Sequence, residues 1–311
     1  MLAARERIGD LVKRTPLLEA EVRGARIWLK CECLQEGGAF KLRGATNRLL
    51  QLSAEERERG VVAFSSGNHA RGVAIAARRL GIRAVIVMPS DAPQVKIEGT
   101  LGEGAEIIFY DRKTGNREAI AAKISDGTGA TVVPSFDDEM IVAGQGTVGL
   151  EILDQLADVG QGHPPMVVAP CGGGGLASGI ALAIPEAVIV GVEPDGWDDM
   201  ARSLELGTIV PVAPNAPPTL CDALQTPRVS PITFDILRDR KAKIVSVSDE
   251  DVELAVLWAF EEHGLTVEPG GAAALAAVLG GEIDPPASSV IILSGGNVDP
   301  ALHASIVNDY P

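Results

Sequence analysis

The sequence predicts a doubly wound α/β fold divided into two domains. Short apolar runs alternate with helical segments along almost the whole chain of 311 residues. This alternation is typical of a parallel sheet with helices packed on its faces. Several runs are apolar at nearly every position, as expected for strands that are buried on both sides. Nine strands are many for one small sheet, so we expect two sheets.

The predicted strands are rich in β-branched and other apolar residues, and turn residues bound most of them. In chain order they are residues 25–32, 61–66, 83–89, 105–111, 130–136, 166–172, 187–193, 243–248 and 289–296. Helical periodicity is clearest in three segments, residues 69–81, 147–159 and 249–264. The turn-rich segment 134–138 and the glycine-containing segment 143–147 suggest the second domain boundary. We therefore expect a small domain over 51–141, inserted into a large domain formed by 1–50 and 142–311.

The composition indicates a globular protein that does not bind nucleic acid. Hydrophobic residues make up 46% and charged residues 22%, and 42 Asp and Glu against 27 Lys and Arg give a formal charge of −15. No basic stripe interleaved with aromatic residues occurs. No apolar run reaches the ~18 residues of a membrane span, and the charged start does not resemble a signal peptide. The four cysteines lack disulfide or zinc spacing, so we expect a cytoplasmic protein without membrane partners.

A glycine-rich loop, CGGGGLASG (171–179), follows a predicted strand and opens a helix. Backbone N–H groups and the helix dipole at such a place bind phosphate. Two ligand classes fit. Gly172, Gly174 and Ala177 match a dinucleotide fingerprint, and Glu193 ends the next strand, where an acid would contact a ribose. A nicotinamide or flavin oxidoreductase is therefore one alternative at this point.

Three further segments favour pyridoxal phosphate. GGAFKLRGA (37–45) places Lys41 among apolar and small residues, where desolvation lowers the pKa of a lysine. SSGNHARG (65–72) follows a predicted strand and opens a helix, and SGGN (294–297) ends the last strand. A pyridoxal phosphate site requires an amine, a phosphate cup, a partner for the pyridine nitrogen and a group near the ring hydroxyl. The loops supply all four, whereas a dinucleotide site does not need them.

Together these segments resemble the fold-type II pyridoxal-phosphate enzymes of the serine/threonine dehydratase and serine racemase family, which have the tryptophan synthase β-like fold. The residue after Ser-Gly-Asn is His69, which is similar to the dehydratase–racemase branch. Cysteine synthases usually carry threonine at this position. The resemblance runs nearly end to end. It rests on RTPL (14–17), GAFKLRGA (38–45), FSSGNHA (64–70), VMPSDAPQVK (87–96), AGQGT (143–147), GGGGLASG (172–179), GVEP (191–194) and LSGGNVDP (293–300).

The resemblance implies that the cofactor lies in the cleft between the two domains, and it gives each loop a role. Lys41 would bind the cofactor through its amine and then act as the base at the substrate's Cα, with Phe40 near the ring. Asn68 would contact the ring hydroxyl and Ser294 the pyridine nitrogen. The implied phosphate cup is Gly172, Gly173, Gly174 and Gly175. The implied substrate-carboxylate site is Ser65, Ser66, Asn68 and His69.

The resemblance also implies a divalent cation site and a homodimer. In GVEPDGWDDM (191–200) the positions that match the family's cation ligands are Glu193, the carbonyl of Trp197 and Asp199. Ligation by oxygen alone suits Mg²⁺, with Mn²⁺ or Ca²⁺ as alternatives. The alternative to a cation site is an ordinary acidic turn that is exposed to solvent and binds no ion.

The leading functional hypothesis is a dehydratase (ammonia-lyase) that converts a β-hydroxy amino acid to a 2-keto acid and ammonia by α,β-elimination. L-Serine, L-threonine and 3-hydroxyaspartate are all open as substrates, and Arg71 is a candidate for binding a second carboxylate. The second hypothesis is an amino-acid racemase such as serine racemase, which would use Lys41 and Ser66 on opposite faces of Cα. A dinucleotide oxidoreductase and a catalytically silent cofactor-binding protein are the remaining alternatives.

Overall fold

The structure is a computed structural model that describes residues 1–65, 67–112 and 114–309. Within these ranges the chain forms ten strands and fourteen α-helices, which alternate along much of the sequence. The strands are β1 (Leu17–Val22), β2 (Ala25–Cys31), β3 (Val61–Phe64), β4 (Ala84–Pro89), β5 (Glu106–Tyr110), β6 (Thr131–Val132), β7 (Met166–Pro170), β8 (Val188–Pro194), β9 (Lys243–Val247) and β10 (Val290–Leu293).

The helices range from one and a half to about four turns. They are α1 (Leu2–Ile8), α2 (Lys41–Leu50), α3 (Ala54–Arg59), α4 (Asn68–Leu80), α5 (Gln94–Leu101), α6 (Arg117–Thr128), α7 (Glu139–Gln145), α8 (Thr147–Asp158), α9 (Gly175–Ala183), α10 (Asp199–Leu206), α11 (Pro231–Asp239), α12 (Asp249–His263), α13 (Pro269–Gly280) and α14 (Pro300–Asp309). In the described part of the chain none of them is long and apolar enough to cross a membrane.

The strands form two sheets, as predicted. The larger sheet has the order β1-β2-β10-β7-β8-β9, and the smaller one has the order β5-β4-β3-β6. All neighbouring strands are parallel except β1 and β2, which form an antiparallel hairpin. The predicted α/β fold class is confirmed. The domain boundaries at 50/51 and 141/142 stay a prediction.

Both sheets are covered on both faces. Along β2, Ile27 and Leu29 pack into one apolar cluster with α12 and α13, whereas Trp28 packs into another with α8 and α9. The same alternation occurs in the smaller sheet, where Val62 lies on the opposite side from Val61. Successive side chains of a strand point to opposite faces, so a strand covered on both sides must be apolar throughout.

The loops that the sequence singled out follow the carboxyl ends of strands. The glycine-rich loop leaves β7, Ser294 follows β10, and Ser65 follows β3. In open α/β sheets this edge is where ligands bind. Lys41 lies at the first position of α2, which packs between α4 and α7. The architecture therefore directs these segments from both sheets toward one cleft.

Candidate active site

One cleft contains nearly all the predicted cofactor residues. It encloses about 900 Å³ together with its opening to solvent. From the sequence predictions it contains Phe40, Lys41, Ser65, Asn68, His69, Gly172, Gly173, Gly174, Gly175 and Ser294. Ser66 belongs to the same loop, but it lies outside the described residues. Residues separated by more than 250 positions thus meet in one place.

Lys41 presents its amine to the interior of this cleft. Its Nζ donates a hydrogen bond to the carbonyl of Ser135 at 3.1 Å and lies 5.1 Å from the ring centroid of Phe40. Removal of the ammonium from water lowers the pKa of Lys41 from 10.5 to about 8. A larger fraction of the neutral, nucleophilic amine is therefore available near neutral pH than for an exposed lysine.

The glycine-rich loop forms a cup that side chains would fill. A methyl group on Gly173 would overlap the ring of Phe136, and one on Gly172 would lie 3.0 Å from Oγ1 of Thr226. Gly174 has φ of +82°, a conformation that favours glycine, and it caps α9. The first N–H groups of α9 have no partners within the helix, so this geometry fits a phosphate group.

The loop after β3 supplies polar groups from the smaller sheet. The backbone N–H of Gly67 donates to Oγ of Ser65 at 3.2 Å, which shapes the turn into α4. Nε2 of His69 lies 2.9 Å from the carbonyl of Val133, and burial together with the charge of Lys41 lowers the pKa of His69 to about 3. His69 is therefore a neutral ring at physiological pH. A neutral imidazole orients a substrate without contributing charge.

Ser294 and Phe40 are held against each other at the end of β10. The backbone N–H of Phe40 donates to the carbonyl of Ser294 at 3.2 Å, and Ser294 is buried at the wall of the cleft. Phe40 also packs partly against the apolar core. A hydroxyl, a phosphate cup and a buried amine around one cavity form the donor set that pyridoxal phosphate requires.

Several residues of the cleft were not found from the sequence. Arg117 stands at the start of α6 and stacks over the ring of Phe64, with its guanidinium 5.6 Å from the centroid. Arg117 forms no ion pair with an acidic residue in the described ranges. Lys96 and Asp222 form an ion pair at another wall of the cleft. A single charged residue at a helix start carries no local sign that it faces a cavity, so sequence patterns could not identify Arg117.

Arg71, the sequence candidate for a second carboxylate, does not line the main cleft. Its guanidinium donates to Oδ1 of Asn297 at 3.0 Å. It borders instead a small separate void beside Asn68 and Lys96. Its role in binding a second carboxylate stays a prediction.

Glu193 and Asp199 lie apart from the main cleft. Both carboxylate oxygens of Glu193 accept backbone N–H groups, from Met200 at 2.9 Å and Ala201 at 3.0 Å. Burial raises the pKa of Glu193 to about 8 and that of Asp199 to about 7. No ribose can reach the fully buried Glu193, which argues against the dinucleotide alternative. The described residues hold no group of three or more His, Cys, Asp or Glu side chains suited to a metal ion.

Comparison with known proteins agrees with this geometry. The sequence model of the family described as "Pyridoxal-phosphate dependent enzyme" matches residues 8–295. An L-threo-3-hydroxyaspartate ammonia-lyase from a Pseudomonas species is 39% identical, over 99% of this chain and 97% of that protein. A serine racemase from Arabidopsis thaliana is 38% identical, over 95% of this chain and 91% of that protein. The crystal structure of a threonine deaminase from T.th. superposes with a TM-score of 0.88 at 42% identity, over 96% of this chain and 97% of that one.

Proposed function

Because this chain belongs to the pyridoxal-phosphate dependent enzymes, we propose that it is an ammonia-lyase of β-hydroxy amino acids. The reaction would be an α,β-elimination that yields a 2-keto acid and ammonia, with the water that is lost regained in the final hydrolysis. The observation that carries the proposal is the buried amine of Lys41, which faces the same cleft as the glycine cup and Ser294. The ammonia-lyase from Pseudomonas, similar along nearly its whole length, supports the reaction class.

Each group has a defined task in this proposal. Pyridoxal phosphate, when bound, supplies the electron sink that makes the α-proton of an amino acid acidic. Lys41 would hold the cofactor through its amine and, once displaced by substrate, take the α-proton. The glycine cup would hold the phosphate through backbone N–H groups. Ser294 would face the pyridine nitrogen with a neutral hydroxyl, which stabilises a ring cation less than a carboxylate does and so favours rapid loss of the β-hydroxyl.

Within this class we place 3-hydroxyaspartate first as the substrate. A second carboxylate needs a cation in the cleft, and Arg117 supplies a guanidinium with no acidic partner among the described residues. Among the described residues that line the cleft, Lys96 is the other cation besides Lys41, and it is already paired with Asp222. Arginine matches a carboxylate with two parallel hydrogen bonds, which lysine cannot do.

The test is a substrate comparison between the wild-type protein and Arg117→Gln. With pyridoxal phosphate and Mg²⁺ present, we expect keto acid and ammonia from L-threo-3-hydroxyaspartate, and less from L-serine and L-threonine. Arg117→Gln should lower kcat/KM for hydroxyaspartate at least about thirtyfold, the loss expected when a bound carboxylate that has left water loses its charged partner. The value for L-threonine should change by less than about fivefold.

Arg112→Gln is the matched control, because Arg112 lies on the same segment and pairs with the exposed Asp91. Equal losses for all substrates in Arg117→Gln would reject the role of Arg117 and leave the ammonia-lyase in place. If no keto acid forms from any substrate, the dehydratase proposal fails. The same incubations, analysed on a chiral column, would then reveal a racemase, the activity named for the Arabidopsis relative.

We also propose a divalent cation between Glu193, the carbonyl of Trp197 and Asp199. Oδ2 of Asp199 is buried without a hydrogen-bond partner among the described residues. Two neighbouring carboxyl groups whose pKa values are raised by burial gain most from a cation that restores their charge. Oxygen ligands suit Mg²⁺, with Mn²⁺ and Ca²⁺ as alternatives.

Thermal unfolding with and without cation tests this site. At a concentration a hundred times the dissociation constant, Mg²⁺ should raise the Tm of the wild-type protein by about 5 °C. Asp199→Asn should remove this rise, whereas Asp195→Asn, an exposed acid on the same turn, should keep it. A wild-type Tm that is unaffected by Mg²⁺, Mn²⁺ and Ca²⁺ would contradict the proposal. The homodimer and the cytoplasmic location stay predictions from the sequence.

A further inference from the structure

Five polar side chains, one of them Asn68, form a continuous chain of contacts that begins outside the cleft and ends at its wall. It passes from Arg71 to Asn297, then to Asn68, Glu268 and Lys96. Asn68, Glu268 and Lys96 are all buried, with Glu268 only 1% exposed. The members come from α4, α5, the start of α13 and the loop after β10, so the chain links both sheets. Buried polar groups of this kind are costly unless each one is satisfied.

The order of donors and acceptors along this chain fixes the orientation of each amide. A guanidinium can only donate, so Arg71 requires the Oδ1 of Asn297 to face it, at 3.0 Å. Nδ2 of Asn297 is then left to donate to the carbonyl of Gly37 at 2.6 Å and to Oδ1 of Asn68 at 2.8 Å. Oδ1 of Asn68 must therefore face Asn297.

The nitrogen of the Asn68 amide contacts a hydrogen-bond acceptor, the carboxylate of Glu268. Nδ2 of Asn68 donates a hydrogen bond to Oε1 of Glu268. A methyl group on Gly295 would overlap this Oε1, so glycine leaves the room that the pair occupies. An amide nitrogen carries two N–H groups. One is used by Glu268, and the other has no partner among the residues that the structure describes, so it is available to a ligand in the cleft that Asn68 lines.

Glu268 accepts reliably only while it is ionised. The charged groups that face it are Lys96, whose Nζ lies 3.6 Å from Oε2, and Asp222, which pairs with the same lysine. Burial raises the pKa of Glu268 to about 7, although Lys96 opposes this shift. Above that pH the carboxylate only accepts. Below it the protonated carboxyl group gains a donor and no longer fixes the amide of Asn68.

We propose that Glu268 is a positioning residue for the cofactor ring, held by Lys96 and acting through Asn68. The inference rests on the proposed pyridoxal phosphate chemistry, in which Asn68 contacts the ring hydroxyl. Together with Asn297, which holds Oδ1 of Asn68, Glu268 keeps an N–H of Asn68, and not its oxygen, directed at that hydroxyl. The donated hydrogen bond stabilises the ring oxygen in its ionised form, and so it sets the pH at which the bound cofactor changes its absorption spectrum.

The test compares Glu268→Gln, Asn68→Ala and the double variant by spectral titration of the cofactor-loaded protein. Glu268→Gln keeps the shape of the side chain but can donate as well as accept. We expect each single variant to raise the pH midpoint of the absorption change and to weaken pyridoxal phosphate binding about tenfold. The double variant should match Asn68→Ala alone, because Glu268 acts through Asn68.

A second variant, Lys96→Met, tests the inference independently in case Glu268→Gln does not fold. It leaves the carboxylate without its cation, so the absorption midpoint should again rise. Glu262→Gln, an exposed acid at the end of α12, is the control and should titrate like the wild-type protein. A wild-type spectrum in Glu268→Gln, or shifts of Glu268→Gln and Asn68→Ala that simply add, would overturn the inference. Failure of the proposed function is distinct, because it would appear as the absence of keto acid from the wild-type protein, whereas this inference is judged on the absorption spectrum and on pyridoxal phosphate binding.

Discussion

Replacement of Lys41 by alanine is expected to abolish keto acid formation, with a loss of at least about a thousandfold in kcat. The variant loses both the amine that holds the cofactor covalently and the base at Cα. Covalent retention of pyridoxal phosphate after borohydride reduction should disappear as well. Initial rates on the preferred substrate and the mass of the reduced protein measure the two effects. The fold should remain, because Lys41 contributes one hydrogen bond, to Ser135.

Lys123→Ala is the matched control for Lys41→Ala. Lys123 lies on the exposed side of α6, outside the cleft, so the rate and the covalent label should equal those of the wild-type protein. A Lys41→Ala protein that keeps its rate within about tenfold would place the reactive amine elsewhere. Retention of the label at another lysine of the same chain would have the same meaning.

Local motifs predicted the loops of the site, but they could not predict how polar and charged side chains pair across it. The glycine cup and the loop after β3 are compact segments whose glycine, serine and asparagine residues point to ligand binding in themselves. The pair between Asn68 and Glu268 joins residues that are 200 positions apart. Lys96 and Asp222 are 126 positions apart. No periodicity or spacing in one sequence encodes such contacts, and they become evident only when both sheets are assembled.

One strand, β1, was not predicted from the sequence, and the reason is physical. β1 (LLEAEV) is an edge strand whose outward residues are acidic, so it lacks the apolar run that identified the other strands. It joins β2 through a two-residue turn at Arg23 and Gly24, with φ values of +51° and +78°. Such turns usually carry Asn-Gly or Asp-Gly, and Arg-Gly does not match that signal. The hairpin is regular, but with arginine at this position the turn lacks the sequence pattern that would have predicted it.

A second large effect is expected for the buried charge cluster beside α2. Arg43, two positions after Lys41, is fully buried and binds Glu32 through two hydrogen bonds of 2.8 Å. It also donates to Glu151 at 2.6 and 2.9 Å. Lys30, equally buried, donates to the same Glu151 at 2.7 Å. The cluster thus contains two positive and two negative charges. Arg43, Glu32 and Lys30 have no contact with water.

Arg43→Ala should lower the free energy of unfolding by about 3–5 kcal/mol. The variant leaves the buried carboxylate of Glu32 and the partly buried carboxylate of Glu151 with Lys30 as their remaining cation. Urea denaturation followed by circular dichroism measures the loss. Arg43→Lys should recover little, because an ammonium cannot form the paired hydrogen bonds to Glu32. The double variant Arg43→Met with Glu32→Gln should be more stable than Arg43→Ala, since it removes a charge of each sign together.

The exposed pair of Arg5 and Asp154 provides the comparison. Their side chains are about half exposed, so Arg5→Ala should cost less than about 1 kcal/mol. If Arg43→Ala costs no more than Arg5→Ala, the cluster does not depend on its charge balance. If the expected loss of stability is found, the cluster also matters for the active site. The cluster then fixes the first turn of α2, and with it the direction in which Lys41 enters the cleft.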